Sequence, residues 1–246
     1  MFFSSARDSI NEIKESARKL LEEGCEALSI IFINSYANDE NEKIAKGVIQ
    51  DIWPNEHITV SSEILPEIRE FERASTSTLN AVLQPVLSHY LGALEETLTK
   101  KGFFGQALIV QSNGGVMSID NAKALPIKTA LSGPAAGVIA ASYIGVNAGY
   151  PNIVSCDMGG TSFDVSLISG GQSKLAAQTS IDFGMVVRSP MVEIITIGAG
   201  GGSIAKVDAG GLLQVGPESA GSDPGPVCYG LGTTTPTVTD AIVVLG

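Results

Sequence analysis

Cysteine, histidine and positive charge are scarce in this sequence. Its 246 residues include three cysteines and two histidines, and 15 Lys and Arg stand against 26 Asp and Glu, a net charge of −11. Cysteines that are widely spaced and lack a Cys-x-x-Cys pair argue against a disulfide framework and indicate reduced thiols in the cytoplasm. The acidic balance argues against a nucleic-acid-binding surface and against attraction to anionic membranes.

Long apolar runs are also missing. No uninterrupted stretch approaches the roughly 20 residues that a membrane-spanning helix needs. At the N-terminus, the short run Met1-Phe2-Phe3 is followed at once by Arg7 and Asp8, which leaves no signal-peptide core. We therefore predict a cytoplasmic protein without membrane or nucleic-acid partners.

The apolar content that is present is typical of a folded chain. Hydrophobic residues make up 44% of the sequence and charged residues 17%, which favours a globular protein with one large or two ordinary domains. The first part alternates a helix reaching about residue 21, an apolar strand at 27–33, a helix at 39–52 and a strand at 57–61. This alternation predicts an α/β layer.

Residues 66–101 form a mostly helical region, interrupted or kinked near Pro85. One broad apolar face is predicted for it from Leu79, Val82, Leu83, Val86, Leu87, Tyr90, Leu91, Leu94 and Leu98. Near its start we expect a solvated, ion-paired face made of Arg69, Glu70, Glu72 and Arg73. After a strand at 107–110, the polar loop 111–115 either approaches a ligand or forms an ordinary turn.

The most informative stretch is residues 153–168, in which an apolar strand, a Gly159-Gly160 corner and an alternating strand follow one another. Asp157 and Asp164 flank the corner. Adjacent glycines free the backbone to bring its N–H groups against a ligand. Such groups can cradle phosphate oxygens, and a carboxylate at a strand end can hold hydrated Mg²⁺. The alternative is a plain hairpin whose aspartates are solvated.

Small residues and glycines surround this hairpin in sequence. Before it, a helix starting near residue 132 carries almost no side-chain bulk, so it can lie very close to another backbone. After it, residues 198–203 are rich in glycine but match neither a dinucleotide fingerprint nor a P-loop. We expect the long loop at 216–237 to be ordered and folded back, and Thr239 or Asp240 to cap a final helix.

These motifs resemble those of a known superfamily and, more closely, those of one family. A small-residue helix at 134–137 before the Asp-x-Gly-Gly-Thr hairpin is similar to the second phosphate loop of the actin-like ATPase superfamily. From about residue 63 to the end, the chain more closely resembles the hydantoinase A/5-oxoprolinase family. The matching segments are 73–76 with 80–81, 111–115, 131–137, 157–164, 197–205, 216–226 and 237–241.

The resemblance implies the fold and the domain organisation. It implies an α/β fold, the second lobe of an actin-like (ribonuclease H-like) ATPase, with a mixed sheet, flanking helices and truncation at both ends. Residues 1–62 would be an α/β segment from the end of an N-terminal hydantoinase/oxoprolinase region. Residues 63–246 would be a partial hydantoinase A/oxoprolinase domain with its phosphate loop at 157–164.

The same resemblance implies ATP-dependent opening of a cyclic amide, such as a hydantoin, an N-methylhydantoin or 5-oxoproline, by phosphorylation of the ring carbonyl. Asp157 and Asp164 would be catalytic. Asp157 would hold Mg²⁺ through water, and Asp164 would orient Thr161 or the metal shell. Phosphate binding is implied for Gly159, Gly160, Thr161 and Ser162. The cleft lining is implied for Gly200, Gly201, Gly202 and Ser203. Asp223 and Asp240 fall in family motifs without an assigned role.

Departures from the family pattern define the remaining expectations. No earlier Asp-x-Gly-Gly-Thr loop precedes the described motifs, so we expect an internal piece of a longer subunit, with little turnover by itself. Its partners would be the missing first lobe and a hydantoinase B-like subunit. Unexpected residues affect the substrate assignment: Glu193, Ile195, Leu231 and Thr233. An acetone or acetophenone carboxylase subunit and a non-catalytic remnant stay open as alternatives.

Overall fold

The computed structural model describes residues 6–180 and 184–246, and the run Met1-Phe2-Phe3 lies outside them. The described residues form two compact units. The first contains those up to Ser132 and those between Ala176 and Met191, and the second contains 133–175 and 192–246. No helix within the described ranges combines the length and the hydropathy needed to cross a membrane.

The first unit begins with the predicted α/β layer. Its elements in chain order are α1 (Ala6–Glu22), β1 (Leu28–Ile30), α2 (Glu40–Gln50), β2 (Ile58–Val60), α3 (Ser61–Ile64), α4 (Glu70–Lys100), β3 (Leu108–Val110), β4 (Val116–Ser118), α5 (Ile119–Ala124) and a 3₁₀ turn (Pro126–Thr129). Strands β1 and β2 pair in parallel, and a core cluster that includes Ala17, Leu28, Ala45 and Val60 joins them to α1 and α2. The alternation read from the sequence is confirmed.

Glu42 on α2 is the polar centre of this layer. Its side chain is fully buried and accepts hydrogen bonds from the amide nitrogens of Phe32 and Ser62, both at 2.9 Å, and from the Ser61 hydroxyl at 2.6 Å. Burial opposes ionisation of Glu42, but the hydrogen bonds outweigh it and lower the pKa of the carboxyl. One carboxylate therefore joins the ends of β1 and β2 to α2.

Helix α4 differs from its predicted form. It runs for 31 residues and contains Pro85, so no interruption occurs there. Val82 and Val86 are exposed, and the buried positions include Thr76, Asn80 and Gln84. The broad apolar face is therefore wrong for this part of the helix. Polar side chains are buried here because they bind backbone groups of the adjacent segment. The side-chain amides of Asn80 and Gln84 both donate to the carbonyl of Ala124 at 3.2 Å.

Arg73 corrects the expectation of a solvated face at the start of α4. Its side chain is fully buried and its guanidinium donates to the carbonyls of Phe32 at 2.6 Å and Glu67 at 3.2 Å. The buried carbonyls explain the position, because arginine offers several donors in a fixed geometry. The predicted ion pairing is confirmed, because Arg69 pairs with Glu72 at 3.1 Å and Arg73 with Glu70 at 3.8 Å.

The loop 111–115 is the turn of the β3–β4 hairpin. The amide of Gln111 donates to the carbonyl of Gly115 at 2.8 Å, and the side chain of Asn113 accepts from the amide of Gly115 at 2.9 Å. Ser112 is buried and donates to the carbonyl of Lys128. Of the two interpretations of this loop, the contacts support the turn.

The second part of the chain is dominated by β-structure. Its elements are α6 (Ser132–Asn147), β5 (Ile153–Met158), β6 (Phe163–Ser169), β7 (Gln172–Ser173), β8 (Leu175–Ala176), β9 (Thr179–Ser180), β10 (Val186–Val187), β11 (Met191–Val192), β12 (Ile195–Ile197), β13 (Ser203–Val207), β14 (Leu213–Ser219), a 3₁₀ turn (Val227–Tyr229) and α7 (Val238–Leu245). The main sheet has the order β12-β6-β5, with β7 also on β6, and all of its pairs are antiparallel. The sequence pattern predicts neither β13 nor β14, and β14 takes the first four residues of the predicted loop 216–237.

The small residues of helix α6 let it pack closely against the segment that follows it in sequence. A Cβ at Gly145 would lie 2.9 Å from the carbonyl oxygen of Tyr150 and 2.9 Å from Cδ1 of Ile153. Ala135 and Val138 on the same helix are buried with Ile168 and Val192 in the core of the second unit. The predicted close approach is confirmed, and it places α6 against the hairpin that carries Asp157.

Candidate functional site

The β5–β6 hairpin has the predicted strand, turn and strand. Asp157 pairs with Asp164 across the two strands, and Met158 pairs with Phe163 as the last pair before the turn. The amide of Gly159 donates to the carbonyl of Ser162 at 2.9 Å and closes the turn. The two carboxylates therefore stand on directly opposite residues, one pair back from the glycine corner.

The corner leaves several backbone donors free. Within 6–180 and 184–246, the amide N–H groups of Gly160, Thr161 and Ser162 donate to no acceptor. Gly159, Gly160 and Thr161 are exposed. Consecutive unpaired N–H groups at an exposed turn form the kind of concavity that binds anions.

A second glycine loop, 200–202, holds this corner in place through its main chain. The amides of Gly201 and Gly202 donate to the carbonyls of Gly159 at 2.9 Å and Gly160 at 2.7 Å. A Cβ at Gly200 would lie 2.6 Å from the amide nitrogens of Thr161 and Ser162. Only glycine fits at position 200, because the atoms it would meet belong to the backbone.

The two carboxylates face other parts of the second unit. Asp164 accepts a hydrogen bond from the hydroxyl of Thr196 on β12 at 2.6 Å. A carboxylate oxygen of Asp157 lies 3.7 Å from the position of a Cβ on Gly137 of α6. Neither carboxylate forms an ion pair with a described residue. Like charges on directly paired residues repel, so this pair favours a bound cation.

A cavity of about 660 Å³ adjoins the corner. It is lined by Met158, Gly159, Gly160, Thr161, Gly201, Gly202, Ser219, Gly221, Ser222, Pro226, Tyr229, Thr239 and Ile242. Five sequence-predicted site residues thus meet in one wall: Gly159, Gly160, Thr161, Gly201 and Gly202. The other predicted residues do not line this cavity. Gly200 and Ser203 are buried behind it, and Asp157, Asp164 and Ser162 lie outside its lining.

Asp240 is a site-forming residue whose role the sequence left open. Its carboxylate accepts hydrogen bonds from the amides of Val227 at 3.2 Å, Cys228 at 2.7 Å and Thr237 at 2.8 Å, and from the Thr237 hydroxyl at 2.8 Å. Burial opposes its ionisation, but these bonds prevail and hold the pKa of Asp240 well below its usual range. The loop 216–237 is folded back as expected, and Asp240 fixes part of it to α7.

The predicted cap of α7, Thr239 or Asp240, is wrong. Thr237 is the N-cap, and Asp240 occupies the third helical position and returns a bond to the Thr237 amide, which makes a capping box. Thr239, one of the predicted caps, instead donates through its amide and hydroxyl to the carbonyl of Gly201, both at 2.8 Å. The spacing of Thr237 and Asp240 was a usable sequence signal. Asp223 is exposed and makes no hydrogen bond or ion pair with the described residues.

A metal bound near this site would need ligands beyond the protein. In the part of the chain that the structure describes, no group of three or more His, Cys, Asp or Glu side chains could hold a metal ion. The Asp157–Asp164 pair offers oxygen ligands of the type that Mg²⁺ prefers, and Mg²⁺ commonly keeps several waters. The residues present therefore fit a partly hydrated Mg²⁺.

Comparisons with known proteins extend this description. The gamma subunit of acetophenone carboxylase from Aromatoleum aromaticum is 39% identical over 96% of this chain and 33% of that protein. The crystal structure of the ATP-dependent caprolactamase from Pseudomonas jessenii matches with a TM-score of 0.79 and 37% identity, over 95% of this chain and 34% of that one. A nucleotide-free acetone carboxylase structure matches with a TM-score of 0.74 and 29% identity, over 96% and 34%.

The chain therefore spans about a third of the length of these relatives. The mixed α/β fold resembles the solved carboxylase and caprolactamase structures. The sequence profile described as hydantoinase/oxoprolinase matches residues 73–246, which include the β5–β6 hairpin, the second glycine loop and Asp240. By this match, the chain belongs to the hydantoinase/oxoprolinase family.

Proposed function

We propose that this chain carries the ATP-phosphate-binding part of a subunit that opens cyclic amides, such as hydantoin, N-methylhydantoin or 5-oxoproline. One observation carries the proposal: three consecutive unpaired N–H groups at a glycine corner, held by a second glycine loop, one residue pair from two opposed carboxylates. The similarity to an ATP-dependent caprolactamase supports a lactam as the substrate class.

The chemistry assigned to this site is positioning and charge neutralisation. The N–H groups of Gly160 and Thr161 would bind terminal phosphate oxygens of ATP. Asp157 would hold Mg²⁺ through water, with Asp164 orienting the metal shell, and the metal would neutralise phosphate charge. Phosphoryl transfer depends mainly on such positioning and electrostatic stabilisation. Transfer of the terminal phosphoryl group to the carbonyl oxygen of the amide would release ADP and make the carbon open to attack by water. Cleavage of the C–N bond, with a proton going to the nitrogen, would then leave an acyl phosphate, and a second water would hydrolyse it to the carboxylate and free phosphate.

The domain assignment follows the same proposal. Residues 63–246 would belong to the second lobe of an actin-like ATPase fold, and residues 1–62 to the end of the preceding region. The facing part of the phosphate site would come from a first lobe, and a hydantoinase B-like subunit would be the partner. The family profile over 73–246 supports the assignment of these residues to one family domain.

A second candidate is a subunit of a ketone carboxylase. The similarity of 39% to the acetophenone carboxylase subunit is as high as that to caprolactamase. Both reactions would use the same phosphate site, because a ketone can be activated through its carbonyl oxygen as a cyclic amide can. The site described above fits both, so the substrate must be distinguished by assay.

Calorimetry with Mg·ATP tests the phosphate site. We expect the wild-type chain to bind Mg·ATP and Asp157→Asn to weaken binding by about tenfold or more, because the substitution removes the negative charge that would hold the hydrated metal. Asp51→Asn, at the exposed end of α2 in the first unit, is the matched control and should bind as the wild type does. Absence of binding by the wild-type chain would favour a non-catalytic remnant.

ADP release by the full-length subunit with its partner separates the two activities. Stimulation by 5-oxoproline, a hydantoin or caprolactam supports the amidohydrolase, whereas stimulation by acetone or acetophenone with bicarbonate supports the carboxylase. We expect the 246-residue chain by itself to show little turnover in either assay. Robust ring opening by this chain would contradict a phosphate site shared with a first lobe.

A further inference from the structure

Tyr229 lines the same cavity as the glycine corner, and its ring is both exposed and held against its own turn. Its exposed fraction is 54%, large for an aromatic side chain beside a cavity wall. The ring lies against Gly225: a Cβ on that glycine would be 2.8 Å from Cδ2 and 3.1 Å from Cε2 of Tyr229. Gly225 has φ +72°, a conformation that glycine adopts without strain.

The turn that carries Tyr229 is fixed as well. The two residues before it, Val227 and Cys228, donate their amides to Asp240 at the start of α7. The amide of Tyr229 donates to the carbonyl of Pro226 at 3.1 Å. An exposed aromatic ring on such a braced turn loses little conformational entropy when a ligand covers it.

The lining of the cavity combines two kinds of surface. Gly160 and Thr161 offer free N–H groups, whereas Pro226, Tyr229 and Ile242 add apolar side chains. Ile242 is 52% exposed. None of the described residues that line the cavity carries a charge. A ligand that uses both kinds of surface has an anionic group and an uncharged planar group.

We propose that Tyr229, with Pro226 and Ile242, forms the surface on which the nucleobase of the bound nucleotide stacks. This inference rests on the proposed function, in which the corner binds the phosphates of that nucleotide. The volume of about 660 Å³ lies within the range of roughly 300–1,000 Å³ for small-molecule sites. Asp240 acts as a positioning residue, because its bonds hold the turn that presents the ring.

The test compares two ligands that share the phosphates and differ in the base. Calorimetry measures the affinity of the whole chain for Mg·ATP and for Mg·tripolyphosphate. Tyr229→Ala should weaken Mg·ATP by at least about fivefold, the loss typical of one base–aromatic stack, and should leave Mg·tripolyphosphate unchanged. Tyr229→Phe keeps the ring and should bind both ligands as the wild type does.

Three further variants make the outcome specific. Tyr229→Leu keeps an apolar side chain without the flat ring and should weaken Mg·ATP alone, which covers the case in which the alanine variant does not fold. Tyr143→Ala removes an exposed tyrosine on α6 outside the cavity and should change neither affinity. Asp157→Asn should weaken the binding of both ligands, because both carry the phosphates whose metal Asp157 would hold.

The outcomes separate the two proposals. If the wild type binds Mg·tripolyphosphate and Mg·ATP equally well, or if Tyr229→Ala and Tyr229→Leu leave their ratio unchanged, the base does not stack on Tyr229 and the phosphate site stands without this inference. If the ratio is unchanged while binding of caprolactam is lost, the surface takes the amide ring and the inference is wrong. If the wild type binds neither phosphate ligand, both proposals fail.

Discussion

The two units of this chain use opposite means to hold distant segments together. In the first unit, buried polar side chains do it: Glu42 joins the ends of two strands, and Asn80 bonds to Thr59, Ala124 and Ile127. In the second unit, the backbone does most of it, since Gly201 and Gly202 donate to the carbonyls of Gly159 and Gly160. Side chains such as Asp240, Thr196 and Thr239 add to these bonds there.

The difference indicates what each unit is built for. Buried networks of side chains stabilise a fold, but the side chains fill the space around them. Two glycine loops joined through their main chains leave the space beside them open and leave some N–H groups unpaired. A ligand can take those donors. The comparison therefore favours the second unit as the position of the proposed phosphate site, whereas the first unit holds the buried polar network.

The largest expected effect is in the first unit. Glu42→Ala removes the acceptor of three donors, the buried Ser61 hydroxyl and the half-buried amides of Phe32 and Ser62. Each buried group left without a partner costs roughly 1–3 kcal/mol and a half-buried one costs less, so we expect a loss of about 3 kcal/mol in the free energy of unfolding. Chemical denaturation measures it, and hydrogen exchange should show the amides of Phe32 and Ser62 losing protection.

A substitution on the same helix controls for the loss of a glutamate. Glu40→Ala removes an exposed carboxylate from the first turn of α2 and should cost well under 1 kcal/mol. If Glu42→Ala costs no more than Glu40→Ala, the buried network does not stabilise the first unit and the contrast between the units is lost.

The second expected effect tests the backbone-held site. Gly200→Ala places a methyl group 2.6 to 2.7 Å from three backbone atoms of residues 159–162, which cannot move without opening the corner. Overpacking of this kind costs roughly 1–3 kcal/mol, and we expect about 2 kcal/mol with loss of Mg·ATP binding. Gly198→Ala is the matched control, because no heavy atom lies within 4 Å of its Cβ position. Equal behaviour of the two variants would show that the corner does not depend on the second loop.

The contrast also explains which features the sequence could predict. The β5–β6 hairpin, the α/β alternation and the close approach of α6 follow from periodicity and glycine spacing, and the structure confirms them. Arg73, Glu42 and Asp240 act through bonds to segments that are distant or irregular, and no periodic pattern marks such a residue. Periodicity therefore predicts a solvated position for Arg73 and indicates no role for Asp240. Within Gly200–Ser203, only Gly201 and Gly202 line the cavity. The sequence could not predict this, because it depends on the contact of this loop with residues 159–162.

The smallest expected effect is the pH dependence of the stability that Asp240 contributes. Its pKa is lowered in the folded chain, so the unfolded chain takes up a proton first as the pH falls through about 4, the ordinary range of an aspartate. Stability contributed by the ionised carboxylate is therefore fully present above that range and decreases as the solution is acidified toward the folded-state pKa. Asp240→Asn removes this contribution.

We therefore expect the stability difference between the wild type and Asp240→Asn to be largest near pH 7 and to shrink between pH 5 and 3, as measured by urea denaturation at each pH. Glu15→Gln, at an exposed position on α1, controls for the change in net charge and should show a far smaller pH-dependent difference. A difference that grows on acidification would mean that Asp240 is protonated in the folded chain. Its carboxylate could not then accept all four bonds, and the braced turn that presents Tyr229 would need another explanation.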